Sequence, residues 1–98
     1  MLVGAHYDTV VASPGADDNA SALAALLEVA DRLKHRDVAR PVWLAAFCLE
    51  EQGLLGSRAF VSRLKQAGQS LEAAIVLECV GYASHEAGSQ RTPPRTSR

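Results

Sequence analysis

Three short apolar stretches alternate with two helix-like stretches along the chain, and this order constrains the fold more than any other feature of the sequence. The apolar runs at residues 2–5, 42–49 and 73–77 have the length of single strands. The longest of them, residues 42–49, is apolar at every position. Such a run is typical of a strand in a parallel sheet that is covered on both faces. The sequence therefore predicts an α/β fold.

The two intervening stretches have the spacing of amphipathic helices. After a loop at residues 9–18, apolar side chains recur every three or four residues, at Leu23, Leu26, Leu27, Ala30 and Leu33. A second helix is predicted at residues 54–66, with an apolar face formed by Leu55, Ala59, Phe60 and Leu64. Strands that alternate with helices run parallel, so their carboxyl ends meet at one edge of the sheet, where open α/β sheets carry their sites.

Length and charge limit what the chain can be. Ninety-eight residues suffice for one small domain, which we assign to residues 1–83, and residues 84–98 are expected to form a mobile tail. A formal charge of −1 gives no electrostatic reason to expect nucleic acid or an anionic membrane as a partner. The longest apolar run is too short to cross a bilayer, and we expect no signal peptide. Cys48 and Cys79 are interpreted as small buried hydrophobic residues.

Acidic and imidazole side chains are concentrated in four clusters, at the predicted strand ends and in the first loop. They are His6 and Asp8 after the first strand, Asp17 and Asp18 in the first loop, Glu50 and Glu51 after the second strand, and Glu78 after the third. Taken singly, each cluster has an ordinary explanation: a structural polar pair, a helix cap, a solvated helix start, or an exposed loop carboxylate. Jointly they are a pattern that random loop polarity rarely gives.

The adjacent carboxylates of Glu50 and Glu51 favour a metal in particular. Two such groups at the mouth of a buried strand repel each other unless a positive charge lies between them. A metal ion supplies that charge, and zinc accepts one imidazole nitrogen together with several carboxylate oxygens. The residues alone therefore predict a metal site at the strand ends.

Four motifs stand out along the chain: GAHYDT at residues 4–9, PGADDNAS at 14–21, LEEQGLLGS at 49–57 and LECVGY at 77–82. They resemble, in order, the motifs of the co-catalytic zinc peptidases of metallopeptidase family M28, which includes bacterial leucyl aminopeptidases and relatives of glutamate carboxypeptidase. The resemblance covers about residues 2–90. It implies a three-layer α/β/α zinc-peptidase fold, present here as a truncated β-α-β-α-β unit, and a peptide substrate that is hydrolysed with two zinc ions, as in an aminopeptidase.

The resemblance also implies roles for individual residues. His6 and Glu78 would bind the first zinc ion, Glu51 would bind the second, and Asp17 would bridge both. Asp8 resembles the residue that orients His6, and Glu50 resembles the general base that takes a proton from the attacking water. Relatives hold the peptide bond after the bridging aspartate in the cis form, which implies a cis Asp17–Asp18 bond.

One ligand of the family is missing from this pattern. Relatives complete the second zinc site with a histidine from a loop far beyond the third strand, and the chain has only His85 after Glu78. His85 does not match the family's final motif and is interpreted as a loop residue, while His35 is interpreted as solvated. We therefore expect an incomplete second zinc site and a fragment that is inactive or weakly active alone.

Three alternatives stay open at this point. One is an amidohydrolase of the aminoacylase and dipeptidase type, although the DDNAS loop at residues 17–21 fits its pattern poorly. Another is a single-zinc acyl-transferring relative such as a glutaminyl cyclase. The third is a catalytically inactive interaction domain like that of transferrin-receptor relatives, which have lost the ligands that this chain retains.

Overall fold

The computed structural model describes residues 1–89 of the chain. Its regular elements are β1 (Leu2–His6), α1 (Ala22–Leu33), β2 (Trp43–Phe47), α2 (Leu55–Gln66) and β3 (Ala74–Val76). A kinked helical turn, Ala16–Ser21, leads into α1. The predicted α/β class and the predicted order of five elements are confirmed, and β2 is shorter than its apolar run.

All three strands are parallel, and β1 lies in the middle, in the order β2-β1-β3. Leu2 is in register with Trp43 of β2 and with Ala74 of β3, so the carboxyl ends of the strands lie at one edge. The chain leaves β1 toward one neighbour and later crosses to the other. Such a change of direction opens a crevice at the carboxyl end of the central strand, and His6 ends that strand.

One face of the sheet carries the small hydrophobic core. Val3 and Ala5 of β1 pack against Ala22 and Leu26 of α1, and all four residues are buried. Leu27, which the spacing assigned to the same apolar face, is 70% exposed, so that part of the prediction was wrong. Successive residues on a helix are separated by about 100°, and the sheet is narrow enough that only the stripe centred on Leu26 reaches it.

The opposite face of the sheet packs against α2. Phe60 makes edge-to-face contacts with Trp43 and Phe47 of β2, with ring centroids 6.1 and 5.6 Å apart. The Phe47 ring lies over Gly4 of β1, where a Cβ atom would be only 2.8 Å from a ring carbon. The helices thus cover opposite faces of the sheet and form the predicted three layers.

The prediction that the second strand is buried on both faces was wrong. Trp43 and Leu44 are each 38% exposed, because β2 pairs only with β1 among residues 1–89 and lies at the edge of the described sheet. In α2, Leu64 is buried and Phe60 half-buried as expected, whereas Leu55 is 47% exposed. Apolar composition alone does not tell an edge strand from a central one.

The segment after β3 is short and irregular. Between residues 84 and 89, the Ser89 hydroxyl donates to the Ser84 carbonyl at 3.2 Å. Residues 90–98, which make up most of the predicted mobile tail, lie outside the described residues, and the boundary at residue 83 stays a prediction. Over residues 1–89, every helix is too short or too polar to span a bilayer.

Candidate metal centre

The site is centred on His6, whose side chain is 3% exposed at the end of β1. Its Nδ1 lies 3.0 Å from the backbone carbonyl oxygen of Asp8. Since a carbonyl can only accept a hydrogen bond, Nδ1 carries a proton. In the neutral ring, Nε2 then presents its lone pair to the crevice, which is the arrangement that a zinc-binding histidine requires.

Three carboxylates surround this Nε2 atom. The distances from Nε2 are 3.1 Å to Asp18 Oδ1, 3.1 Å to Glu78 Oε1 and 4.0 Å to Glu50 Oε2. Burial by itself lowers the pKa of His6, but the hydrogen bond with Glu78 and the negative charges of Glu78 and Glu50 outweigh it, so the pKa is raised. The geometry therefore favours a positive charge at this point, either a proton or a metal ion.

Asp8 contacts His6 differently from the expectation. The His6 hydrogen bond goes to the Asp8 backbone, while the nearer carboxylate oxygen lies 3.5 Å from Nδ1. The Asp8 carboxylate instead accepts the backbone N–H groups of Glu50 at 3.1 Å and Glu51 at 3.2 Å. Burial raises the pKa of Asp8, but these N–H donors outweigh it and lower the pKa. Asp8 thus joins the ends of β1 and β2 and orients the turn that carries both glutamates.

The structure brings Asp18, rather than Asp17, next to His6. Asp17 Oδ1 accepts the Gly81 N–H at 2.8 Å and the Ser21 hydroxyl at 3.1 Å. Asp18 Oδ1 is buried, and no hydrogen bond to it is found among the described residues. The cis peptide bond lies between Asp18 and Asn19, so the expectation of a cis Asp17–Asp18 bond was wrong by one residue.

Glu51 is the second carboxylate with an unsatisfied oxygen. Its Oε1 atom is buried and accepts no hydrogen bond from any described residue. The pKa of Glu51 is raised by burial and then by the negative charges of Asp18 and Glu50. A buried carboxylate oxygen without a donor is costly, and a cation is its usual complement. Glu51 therefore faces the same region of negative charge as Asp18.

Glu78 approaches from the end of β3 and is held by a residue that the sequence interpretation missed. Asn19 is 2% exposed and bonds to the backbone on both sides of Glu78. Its Nδ2 donates to the Leu77 carbonyl at 3.3 Å, and its Oδ1 accepts the Cys79 N–H at 3.1 Å. The only sequence signal was the position of Asn19 in the DDNAS loop directly before a predicted helix, where asparagine is also a common helix cap.

These side chains form a donor set that suits a divalent cation. Ligand atoms of His6, Asp18 and Glu78 all lie within 4.8 Å of one another. One imidazole nitrogen with carboxylate oxygens is a ligand mixture that zinc accepts. The two carboxylate oxygens without a hydrogen-bond donor, on Asp18 and Glu51, face the same negatively charged cluster, and a bound cation would neutralise them. The residues therefore fit a metal.

The remaining histidines and cysteines stand apart from this donor set. His35 and His85 are exposed, and neither belongs to the group of converging ligands found in residues 1–89. Cys48 and Cys79 are not disulfide-bonded, and Cys79 is exposed, which contradicts its interpretation as a buried hydrophobic residue. Partial desolvation of the thiol and the charge of Asp18 raise the pKa of Cys79 to about 11, so the thiol stays protonated at neutral pH.

Fold and site together define a class: an α/β domain with a buried histidine and converging carboxylates at the switch point of a parallel sheet. Comparison with known proteins narrows the class. The sequence model of Peptidase family M28 matches residues 1–98. The chain belongs to this family.

Similar curated proteins support the assignment. The chain is 38% identical to "Uncharacterized protein YfbL" of Escherichia coli over 104 residues, which cover 95% of the chain and 32% of that protein. It is 45% identical to "Aminopeptidase YwaD" of Bacillus subtilis over 66 residues, 67% of the chain and 14% of that protein. It is 36% identical to a "Probable zinc metalloprotease" of Pyrenophora tritici-repentis over 105 residues, 99% of the chain and 24% of that protein.

The chain thus spans a third or less of the length of these relatives. No solved structure gives a significant match to it.

Proposed function

We propose that this chain carries the first part of the catalytic site of a zinc-dependent peptidase of the aminopeptidase type. Such a peptidase uses two bound zinc ions to hydrolyse peptides. The observation that carries the proposal is the approach of Asp18 Oδ1 and Glu78 Oε1 to the same nitrogen of His6, at 3.1 Å each. Membership of a peptidase family supports peptide-bond hydrolysis as the reaction class, and relatives named aminopeptidases support cleavage at the amino end of the peptide.

The ligands would divide between two ions. His6, Asp18 and Glu78 would hold the first ion, because their ligand atoms converge within 4.8 Å. Asp18 would take the bridging role that sequence resemblance had given to Asp17, because Asp17 Oδ1 already accepts hydrogen bonds from Gly81 and Ser21. Glu51 would hold the second ion through its unsatisfied buried oxygen. The second site thus has two ligands among residues 1–89, one fewer than the three that catalytic zinc sites usually have.

When bound, zinc supplies Lewis-acid polarisation of the peptide carbonyl and lowers the pKa of water in the site. Glu50 accepts the proton of the attacking water, since its Oε2 atom faces the metal ligands at 4.0 Å from His6 Nε2. The Asp8 carboxylate keeps Glu50 in place through the Glu50 N–H. The Asp8 carbonyl keeps the His6 ring in the tautomer that leaves Nε2 free for the ion.

The test measures zinc content and turnover in the same samples of the 98-residue chain. We expect about one tightly held zinc per chain, and hydrolysis of leucine p-nitroanilide that is weak because the second ion is held by two ligands. Glu50→Gln should keep the zinc and lose the remaining turnover, because an amide cannot accept the proton. Glu51→Gln should keep the first ion and weaken binding of a second.

The outcomes separate the parts of the proposal. A chain that binds no zinc between pH 6 and pH 8 would refute the metal site. Equal zinc loss in both glutamine variants, with unchanged turnover per bound zinc, would refute the division of roles between the glutamates. Two zinc ions per chain with turnover far above the Glu50→Gln variant would show that the second site is complete, for example through His85 or a second copy of the chain.

A further inference from the structure

We infer that Asn19 is a positioning residue for the metal centre: it fixes Glu78 opposite Asp18 and thereby sets the affinity for the first zinc ion. The inference rests on the proposed zinc site and adds to it a residue that binds no metal. It starts from the largest fully buried side chain of residues 1–89, which is polar and lies in the kinked turn before α1.

The two hydrogen bonds of Asn19 bracket a single residue. The amide donates to the carbonyl of Leu77 and accepts from the N–H of Cys79, at 3.3 and 3.1 Å. Among neutral side chains, only the amide of asparagine or glutamine carries a donor and an acceptor side by side on one planar group. The Leu77 carbonyl must face the NH₂ group and the Cys79 N–H must face the oxygen, so these partners fix which way the amide is turned. Glu78 lies between the two bonded residues, and its backbone is therefore held on both sides.

Glu78 needs this support because it lies beyond the last residue of β3. Its side chain is 47% exposed, and β3 has already ended at Val76. Side chains on irregular segments of this kind sample many positions unless hydrogen bonds hold them. A ligand that drifts from the productive geometry by about 0.5 Å or more weakens a metal site. The bonds of Asn19 supply the constraint that a longer strand would otherwise provide.

Asn19 also follows Asp18 directly in the chain. One rigid turn therefore presents a ligand oxygen of Asp18 and holds the segment that presents the second ligand, Glu78. Contacts beyond Asn19 reinforce the same attachment: Ser21 Oγ accepts the Val80 N–H at 3.1 Å, and Asp17 Oδ1 accepts the Gly81 N–H at 2.8 Å. At Gly81 a Cβ atom would lie 2.8 Å from the Ser21 Cβ, so the two segments touch.

The experiment is a double-mutant cycle on zinc affinity, measured on the 98-residue chain by competition with a chromophoric chelator. Asn19→Ala should weaken zinc binding by roughly 10- to 100-fold, the usual effect of losing a residue that orients a ligand. In a Glu78→Ala background the same substitution should cost less than about 3-fold, because the ligand that Asn19 orients is gone. The absorption bands of bound Co²⁺ should change in Asn19→Ala and indicate altered coordination.

Controls separate positioning from a general loss of stability. Leu26→Ala removes core packing but no zinc ligand and no hydrogen bond of Asn19, so it should leave the zinc affinity of the folded chain within about 3-fold of the wild type. All affinities are measured at a temperature at which circular dichroism shows the variants to be folded. If Asn19→Ala does not fold, Asn19→Asp goes through the same cycle, since it keeps the volume and the acceptor for Cys79 and replaces the donor with a second oxygen. The negative charge that this variant adds is present in both backgrounds, so the cycle compares like with like.

Equal losses in the wild-type and Glu78→Ala backgrounds would overturn the inference, and so would unchanged zinc affinity in Asn19→Ala. Either result leaves the proposed function standing, because the wild-type chain still binds zinc. A wild-type chain without zinc affinity overturns the proposed function and this inference with it.

Discussion

The assignment of the bridging ligand to Asp18 can be tested against its neighbour with the same chemical change. Asp18→Asn removes the charge from the oxygen that lies 3.1 Å from His6 Nε2 and that accepts no hydrogen bond among the described residues. Asp17→Asn is the matched control, one residue away in the same loop. Its amide oxygen can still accept the Gly81 N–H that now lies 2.8 Å from Asp17 Oδ1.

The expected size of the effect follows from the number of ligands. Four-ligand structural zinc sites bind with about 10–16 kcal/mol, or roughly 2.5–4 kcal/mol per ligand. The amide oxygen of asparagine remains a weak neutral ligand, and the Asp18 side chain is 49% exposed, so solvent screening reduces its share. We therefore expect Asp18→Asn to weaken zinc binding by roughly 30- to 150-fold, about 2–3 kcal/mol.

The assay is chelator competition at pH 7.5 on the 98-residue chain, with circular dichroism to check that each variant is folded. Asp17→Asn should change the zinc dissociation constant by less than about 3-fold, since it alters a hydrogen bond between loops and no ligand. If Asp17→Asn weakens zinc binding as much as Asp18→Asn or more, the bridging role returns to Asp17, and the loop geometry described above does not represent the metal-bound protein.

Two further predictions concern stability and pH. Leu26→Ala should lower the free energy of unfolding in urea by about 2–3 kcal/mol, because it leaves a cavity on the α1 side of the core. Leu27→Ala changes a side chain that is 70% exposed and should alter the same free energy by less than about 0.5 kcal/mol. Equal effects of the two substitutions would contradict the described packing. The pKa of His6 is raised, so without metal its contribution to stability is complete below pH 6.5 and is lost as the pH rises through the folded-state pKa. Zinc competes with that proton, so its apparent affinity should rise by up to about tenfold per pH unit over the same interval, and a pH-independent affinity would exclude His6 as a ligand.

Much of the fold follows from patterns that are local in the sequence. Apolar runs of strand length, separated by helix-spaced leucines, are enough to predict five elements in the observed order. Parallel strands with helical connections must end at one edge, so His6, Glu50 and Glu78 could be expected near one another before any coordinates. Side-chain chemistry at those ends then indicated a metal.

Other features required the tertiary structure because they depend on partners distant in the chain. The apolar run of β2 is compatible with a central strand and with an edge strand. Only the pairing of the strands shows that Trp43 and Leu44 remain exposed. The hydrogen bonds of Asn19 reach residues 58 and 60 positions away. No local pattern distinguishes such an asparagine from a helix cap.

The choice between Asp17 and Asp18 shows most clearly where the sequence stops being informative. Periodicity indicates where side chains point only inside regular helices and strands. These two aspartates lie in a turn whose backbone leaves helical geometry at Asp18 (φ −102°, ψ 91°) and Asn19 (φ −134°, ψ 31°). The sequence by itself determined that a carboxylate of this loop would meet His6, and the irregular backbone of the folded loop decided that it is Asp18.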